Sequence, residues 1–280
     1  MDLRKREGIA SLSLDHLVHF INSHPETAVQ EMQRLGLHAV AGGRHETWGT
    51  YNSLCYFGLT YLEFLAIEDR QRAAEVRDNG LIRQIAADLP ENEGLSRIAL
   101  RTGDIAGLAS QLTSMGLTVT GPVPGSRTRS DGSVIRWQML FAEGERERDG
   151  LPLPFFIQWG EGDDDRRQDL TDRGIIAQHP AGSLRMEYVA CAVQQLEETA
   201  VRWQEWFGLE PGVPYTDCEL NAACQALRCD GGDILLCSPL GEGIVAQTLA
   251  ERGERPFLVR FSGKARSSAK HLVLGSFYQL

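Results

Sequence analysis

Apolar positions near the start of the chain change from a strand-like to a helical period. Residues 14–21 form a short apolar run rich in strand-forming side chains, and the polar cluster 22–25 after it is typical of a helix start. Apolar residues then recur at helical spacing, and Gly36 provides a stop. Further strand-like runs cover residues 38–41, 48–57 and 60–67. The pattern predicts a module of order β-α-β-β-β.

The same order repeats after a helix predicted over residues 70–88. The second copy consists of strands at 95–101, 117–120, 134–142 and 154–159 and a helix at 105–115. The third copy consists of strands at 184–193, 222–229 and 234–237 and a helix at 196–207. A helix and a strand near residues 257–261 then begin a fourth copy, but only about 20 residues remain, too few to complete it.

Two charged segments have few or no apolar residues to bury. Residues 143–150 are predicted to form a solvated hairpin, and residues 161–169 a linker or solvated loop. The sequence therefore predicts an α+β protein of repeated βαβββ modules, with one two-module domain over residues 14–175. A second domain over residues 184–280 would hold the third module and the incomplete fourth. The edge left by the missing module invites pairing, so we expect contact with the first pair or a homodimer.

Composition limits the partners. The 280 residues include 42% apolar and 24% charged side chains, which are ordinary globular values. With 28 basic and 38 acidic residues, the formal charge is −10, which disfavours nucleic acid and anionic membrane surfaces. No apolar run approaches the roughly 18 residues of a membrane span, and the charged start does not resemble a secretory signal, so a cytoplasmic location is expected.

Sequence motifs exclude several classes of chemistry. The chain has no Gly-x-Ser-x-Gly, His-Glu-x-x-His, Gly-x-x-x-x-Gly-Lys or strand-linked Gly-x-Gly-x-x-Gly pattern, which disfavours hydrolase, kinase and dinucleotide-binding functions. None of the six cysteines forms a Cys-x-x-Cys pair, and the spacing of the C-terminal ones fits no compact zinc motif. We expect reduced thiols.

Four segments together are similar to the vicinal oxygen chelate superfamily, and most of all to its glyoxalase-like branch. They are LDHLV at 14–18, GGRHETWGTYN at 42–52, YLEFL at 61–65 and LPFFIQW at 153–159. The resemblance implies that two modules join edge to edge into a curved mixed sheet. The concave face would hold a divalent metal, bound by residues of the first and fourth strands of both modules, that chelates two neighbouring substrate oxygens.

The resemblance assigns His16 and Glu63 as metal ligands, and these residue types suit Zn, Mn, Fe or Ni. In the second module, Arg97 stands where a histidine is expected, and Ile157 or Gln158 where a glutamate is expected. The third module has its own candidate ligand, Glu187, in the place of His16, but Leu235 in the place of Glu63.

Strand alternation supports a site at these residues. Alternation predicts that His16 shares a face with Leu14, Val18 and Phe20, and that Glu63 lies among apolar neighbours. An ionised carboxylate there is costly unless a metal or a hydrogen-bond donor meets it. The alternative is that His16 and Glu63 bind each other or water.

Four further residues are candidates for substrate binding. Arg44 and His45 follow a glycine pair and are expected at the mouth of the concave face, while Trp48 and Asn52 would point into it. The alternatives are a surface loop and ordinary strand residues. A general base would be His45 or Glu187.

Three hypotheses remain open on the sequence. The first is a metal-dependent enzyme of the lyase, isomerase or dioxygenase class that acts on a small molecule with adjacent oxygens. The second is a metal-free small-molecule binding protein of the bleomycin-resistance type, which the missing ligand positions favour. The third is a structural module whose concave face is filled by its own side chains.

Overall fold

A computed structural model describes residues 11–129, 131–144, 150–263 and 269–280. Two curled mixed sheets carry seven helices within these residues, which is the predicted α+β architecture. The helices are α1 (Pro25–Arg34), α2 (Arg70–Glu75), α3 (Gly80–Asp88), α4 (Ile105–Ser114), α5 (Asp163–Asp172), α6 (Leu196–Phe207) and α7 (Ile244–Arg252). In the part of the chain described, no helix is both long and apolar enough to cross a membrane.

Sheet 1 joins the first two modules. Its strand order is β2-β3-β4-β1-β5-β8-β7-β6, with β1 and β5 antiparallel at the centre and a parallel pair on each side, β1 with β4 and β5 with β8. The two halves are thus related by a local two-fold axis, as expected for paired βαβββ modules. The strands are β1 (Ser13–Phe20), β2 (Ala39–His45), β3 (Thr50–Phe57), β4 (Thr60–Ile67), β5 (Gly94–Arg101), β6 (Thr118–Thr128), β7 (Val134–Glu143) and β8 (Phe155–Trp159).

Sheet 2 repeats this plan with a shortened second half. Its order is β10-β12-β13-β9-β14-β16-β15, with β11 paired to β12, and β9 and β14 are its antiparallel centre. Among the residues that the structure describes, β14, β16 and β15 stand in the fourth-module position. The strands are β9 (Arg185–Ala192), β10 (Glu210–Pro211), β11 (Tyr215–Asp217), β12 (Ala222–Arg228), β13 (Asp233–Pro239), β14 (Arg255–Ser262), β15 (Lys270–Val273) and β16 (Ser276–Gln279).

Four apolar clusters divide the interior, and the smallest of them packs β3 and β4 against Leu170 of α5. The largest contains residues of both sheets and of α1, α4 and α6, so the two sheets pack against each other through this shared core. A second cluster joins the opposite face of sheet 1 to α3, and a third joins the corresponding face of sheet 2 to α7. The six cysteines are free thiols, and four of them are buried.

Two predicted segments differ from the structure. The helix predicted over residues 70–88 is two helices, because Asn79 caps a second start with its side chain. The prediction of a linker or solvated loop over residues 161–169 is wrong, because most of these residues belong to α5. Only Arg166 and Leu170 of this helix are buried, so it has no apolar stripe to reveal it. The predicted 143–150 hairpin falls largely on residues 145–149, which lie outside the described residues.

Asp15, a fully buried carboxylate, links β1, β5, β8 and α5. Its Oδ1 accepts a hydrogen bond from His16 Nδ1 (2.7 Å), and its Oδ2 accepts from Arg101 Nη1 (3.1 Å) and Trp159 Nε1 (3.0 Å). Arg166 Nη1 of α5 lies 3.7 Å from the same Oδ2. Burial alone would raise the pKa of Asp15, but the hydrogen bond from His16 and the charges of His16, Arg166 and Arg101 lower it to about 2.

A buried histidine links the two sheets. His19 Nε2 lies 2.7 Å from the carbonyl oxygen of Leu274, which accepts only, so Nε2 carries the proton. Nδ1 therefore accepts the hydroxyl of Tyr278 at 2.6 Å. Burial lowers the pKa of His19 to about 3. The hydrogen bond to Leu274 opposes this shift, and the charge of Arg252 adds to it. The imidazole is neutral in the folded protein.

We expect Asp15→Asn to lower the free energy of unfolding by about 3–5 kcal/mol, because two arginines that are largely buried lose their counter-charge. Urea denaturation of the wild type and the variant measures this. Asp163→Asn is the matched control: its carboxylate is about half exposed and also pairs with Arg101, at 2.8 Å, so its loss should cost less than about 1 kcal/mol. Equal effects of the two substitutions would contradict the assigned role of Asp15.

His19 should make stability fall in acid. Since its folded pKa of about 3 lies below the ordinary value of 6.5, the unfolded chain binds the extra proton between these values. The contribution is complete above pH 6.5 and is lost as the pH falls towards 3, by up to about 1.4 kcal/mol per pH unit. Urea midpoints across this range measure the slope. It should flatten in His19→Gln and persist in His271→Gln, whose side chain is exposed; an unchanged slope in His19→Gln would refute the assignment.

Candidate functional site

A cavity lies between the curled face of sheet 1, α3 and α5, and we call it the cup. The centres of water-sized molecules can occupy a volume of about 110 Å³ inside it. A cavity that holds a single water needs roughly 10–15 Å³ on the same measure. Charged groups stand among mostly apolar and aromatic walls. The lining side chains include His16, His45, Trp48, Asn52, Tyr61, Glu63, Arg127, Arg129, Arg136, Trp137, Phe155, Trp159, Glu161, Arg166, Asp169 and Leu170.

His16 and Glu63 meet in the cup, as predicted. His16 Nε2 lies 3.5 Å from Glu63 Oε2, and the two residues are 3% and 8% exposed. The imidazole stacks on Tyr61 and meets the edge of Phe155, with ring centroids 4.5 and 5.4 Å away. Because Asp15 accepts the proton of Nδ1, the other ring nitrogen, Nε2, is the one that faces Glu63 and the cavity.

The predicted face of β1 is only partly right. A bulge between Leu14 and His16 shifts the register against β5, so Leu14 packs in the core shared by the two sheets. Val18 and Phe20 belong to the cluster on the cup side, as predicted. The extra residue of the bulge is Asp15, which explains how neighbouring acidic and imidazole side chains both reach the same region.

Asn52 holds Glu63 in place. Its Nδ2 donates to Glu63 Oε1 at 2.5 Å, while its Oδ1 accepts from the backbone N–H of Gly43 at 2.8 Å. A Cβ atom on Gly42 would lie 1.9 Å from the same amide oxygen, so only glycine fits there. The predicted role of Asn52 in orienting substrate is thus joined by a visible role in orienting Glu63.

His45 and Trp48 line the cup, but Arg44 does not. His45 Nδ1 lies 3.1 Å from Thr50 Oγ1. Burial lowers the pKa of His45; the charge of Glu63 opposes this shift and the charge of Arg127 adds to it. The Arg44 side chain is exposed and pairs with Glu68 at 2.8 Å. The alternative of a solvated Arg44 therefore describes the structure.

Glu187, the candidate ligand and base of the third module, lies outside the cup. It belongs to β9 in sheet 2 and pairs with Arg260 Nε at 3.2 Å. The structure therefore does not bring it to His16 and Glu63. Glu187 stands at the sequence position equivalent to His16 because the module is repeated, and this equivalence does not bring the two residues into one site.

Strand register identifies the counterparts of the two ligand candidates. Glu63 lies beside Val18 in β1, and Phe155 lies beside Ala99 in β5, the position equivalent to Val18. The counterpart of Glu63 is therefore Phe155. The assignment of this place to Ile157 or Gln158 was wrong because it ignored the pairing register.

The counterpart of His16 is Arg97, as predicted, and it has a structural role. Its Nε donates to the carbonyl oxygen of Leu153 at 2.7 Å and its Nη1 to Gln84 Oε1 at 2.8 Å. Burial lowers the pKa of Arg97 to about 10, so the group is still charged at neutral pH. A cation and a phenyl ring thus occupy the two positions that would complete a metal site.

The donor set does not fit a divalent metal. Two groups of suitable type face each other, and among the residues that the structure describes no cluster of three His, Cys, Asp or Glu side chains is arranged to hold an ion. Structural and catalytic zinc sites use at least three protein ligands.

Sequence reasoning missed the charged groups that surround this pair. Four arginines line the cup, and Asp15, Arg101 and Arg166 form the network behind His16. An aspartate inside an apolar strand was the available signal for Asp15. No local signal marked Arg166, because α5 itself was not predicted.

Comparisons with known proteins agree with this architecture. A profile of the glyoxalase-like domain family matches residues 14–207. A hypothetical protein from Staphylococcus aureus is similar over 96% of this chain and 98% of its own, with 22% identity and a TM-score of 0.77. A triple mutant of 4-hydroxymandelate synthase from Streptomyces coelicolor is similar over 90% of this chain and 71% of its own, with 14% identity and a TM-score of 0.59.

At these identities the solved structures establish the fold alone. A comparison with curated proteins finds no significant match. The family match extends over the greater part of the chain, from β1 to the end of α6. The chain therefore belongs to the glyoxalase-like domain family of the vicinal oxygen chelate superfamily.

Proposed function

We propose that the cup binds a small organic molecule through protein side chains alone, as a metal-free binding protein of the bleomycin-resistance type does. One observation carries this proposal: Arg97 and Phe155 occupy the two places that would complete a metal site. The remaining donors also have protein partners, since His16 binds Asp15 and Glu63 binds Asn52.

The aromatic walls of the cup favour a ligand with a flat, apolar ring system. Trp137 lies between Trp48 and Trp159, with ring centroids 6.4 and 5.8 Å away. Phe155 and Met139 add apolar surface on the same side. Aromatic side chains contribute much of the binding energy in such pockets because they bury large areas and lose little entropy.

The polar end of the cup favours a ligand hydroxyl. Glu63 presents Oε2 to the cavity as an acceptor, 3.5 Å from His16 Nε2. A ligand hydroxyl in the cup would donate to this carboxylate oxygen. A hydrogen bond to a charged group inside a pocket contributes about 1.5–3 kcal/mol.

A metal-dependent lyase, isomerase or dioxygenase is the second candidate. It is favoured by His16, whose Nε2 faces Glu63 while Asp15 holds the other ring nitrogen, an arrangement typical of metal-binding histidines. Zn, Mn, Fe and Ni are the ions to test, and His45 is the candidate base that lies in the cup. A homodimer and a cytoplasmic location remain predictions for either candidate.

The metal content of the protein separates the two candidates. Untagged protein that has been dialysed and then loaded with Zn, Mn, Fe or Ni should contain far less than one equivalent by mass spectrometry, because the donor set is incomplete. In calorimetry, the neutral probe 2-naphthol should bind saturably, with the same affinity in EDTA. Stoichiometric metal that disappears in both His16→Gln and Glu63→Gln would instead establish the metal site and overturn the metal-free proposal.

Removing the charge of Glu63 should weaken the binding of the neutral probe 2-naphthol. We expect Glu63→Gln to lower the affinity for 2-naphthol about tenfold, because the hydroxyl loses a charged acceptor. Glu187→Gln removes the same charge from sheet 2 and should leave the affinity unchanged. Calorimetric titration measures both. Equal binding by Glu63→Gln and the wild type would place the probe away from the polar end of the cup.

A further inference from the structure

Arg166 is a buried cation with an unused hydrogen-bond donor in the wall of the cup. Only 5% of the residue is exposed, and its guanidinium lies 4.0 Å from the centre of the Trp159 ring. Its Nη1 is buried and has no hydrogen-bond partner. The nearest carboxylate oxygens, of Asp15 and Asp163, are 3.7 and 4.0 Å away, beyond hydrogen-bond distance.

The neighbouring carboxylate does not need this donor. Asp15 already accepts one hydrogen bond at Oδ1, from His16, and two at Oδ2, from Arg101 and Trp159. Arg101 also pairs with Asp163 at 2.8 Å. Unsatisfied buried donors are rare and costly, most of all on charged groups, so Nη1 of Arg166 is explained if something else in the cup accepts from it.

Arginines outnumber carboxylates among the side chains that line the cup. Four arginines line it, against the three carboxylates of Glu63, Glu161 and Asp169, and the carboxylate of Asp15 lies behind the wall, 3.7 Å from Arg166. Arg129 is neutralised within the wall by Asp169 at 2.7 Å, whereas the Nη1 of Arg166 is left for another acceptor.

We propose that the natural occupant of the cup is a small carboxylic acid and that Arg166 binds its carboxylate. This inference rests on the proposed function and adds the chemical class of the ligand. A planar guanidinium matches the two oxygens of a carboxylate, and the unpaired Nη1 of Arg166 would donate to one of them. The apolar walls would hold the body of the acid.

The surroundings of Arg166 fix it for this role. Stacking on Trp159 holds the guanidinium plane, and α5 carries the side chain to the wall of the cup. Leu170, one turn further along the helix, is buried and also lines the cavity. The helix therefore delivers one charged and one apolar contact to the same space.

Matched naphthalene probes test the proposal by calorimetry. Wild-type protein should bind 2-naphthoate at least about tenfold more tightly than 2-naphthamide, which has the same body and no charge. Arg166→Gln should abolish this preference and leave 2-naphthamide binding nearly unchanged. Arg167→Gln, the same charge change at the next, exposed position of α5, should keep the preference. Arg166→Lys should keep part of it, because the charge remains and the planar fork is lost.

These probes distinguish failure of the carboxylate inference from failure of the proposed function. If 2-naphthol and 2-naphthamide bind the wild type as well as 2-naphthoate does, the cup binds small molecules but the carboxylate inference is overturned. If none of the three probes binds folded wild type, both proposals are overturned. Because the acid and amide are compared in the wild type, this holds even if Arg166→Gln does not fold. A preference that survives in folded Arg166→Gln would also overturn the assignment.

Discussion

The carboxylate of Asp15 is the interaction on which the site depends. It lies at a bulge in the central strand of sheet 1, fully buried, and receives hydrogen bonds from three different elements. A buried charge is tolerated only when its partners are in place, so the same carboxylate fixes the ring of His16 and the indole of Trp159. Its negative charge also balances the nearby Arg166. The bulge, the cup and the helix that borders it are therefore parts of one arrangement.

The symmetry of the two modules relates His16 and Glu63 to the two positions of the second module that face the same space. The local two-fold axis places a residue of the second module opposite each ligand candidate of the first. Arg97 at one such place is held by a backbone carbonyl and a glutamine, and Phe155 at the other packs against His16. With a cation and a phenyl ring at these places, the cavity has one polar end and aromatic walls. This arrangement supports the proposal that the cup binds a ligand through side chains and not by chelation.

The second sheet repeats the plan of sheet 1 only in part. Its face is joined to α7 in an apolar cluster, in the way that the face of sheet 1 is joined to α3. In sheet 1, however, charged residues of β6, β7 and α5 extend the walls beyond that cluster. In the described part of the chain, the incomplete fourth module has no helix in the position of α5, since the chain continues from β14 into the short pair β15 and β16. The space above sheet 1 is therefore the product of a complete pair of modules.

The sequence by itself determined most of the order of the elements and the module repeat, and its resemblance to a known family implied one site for His16, Glu63 and Asn52. The order and the repeat follow from local periodicity, because alternation along a strand and spacing along a helix are read from near neighbours. Only the tertiary structure decided that Phe155 faces the place of the missing ligand, that Glu187 lies elsewhere, and that Arg166 enters the cup. Strand register, a bulge and the docking of a helix without an apolar stripe arise from contacts between distant residues, and no local pattern encodes them.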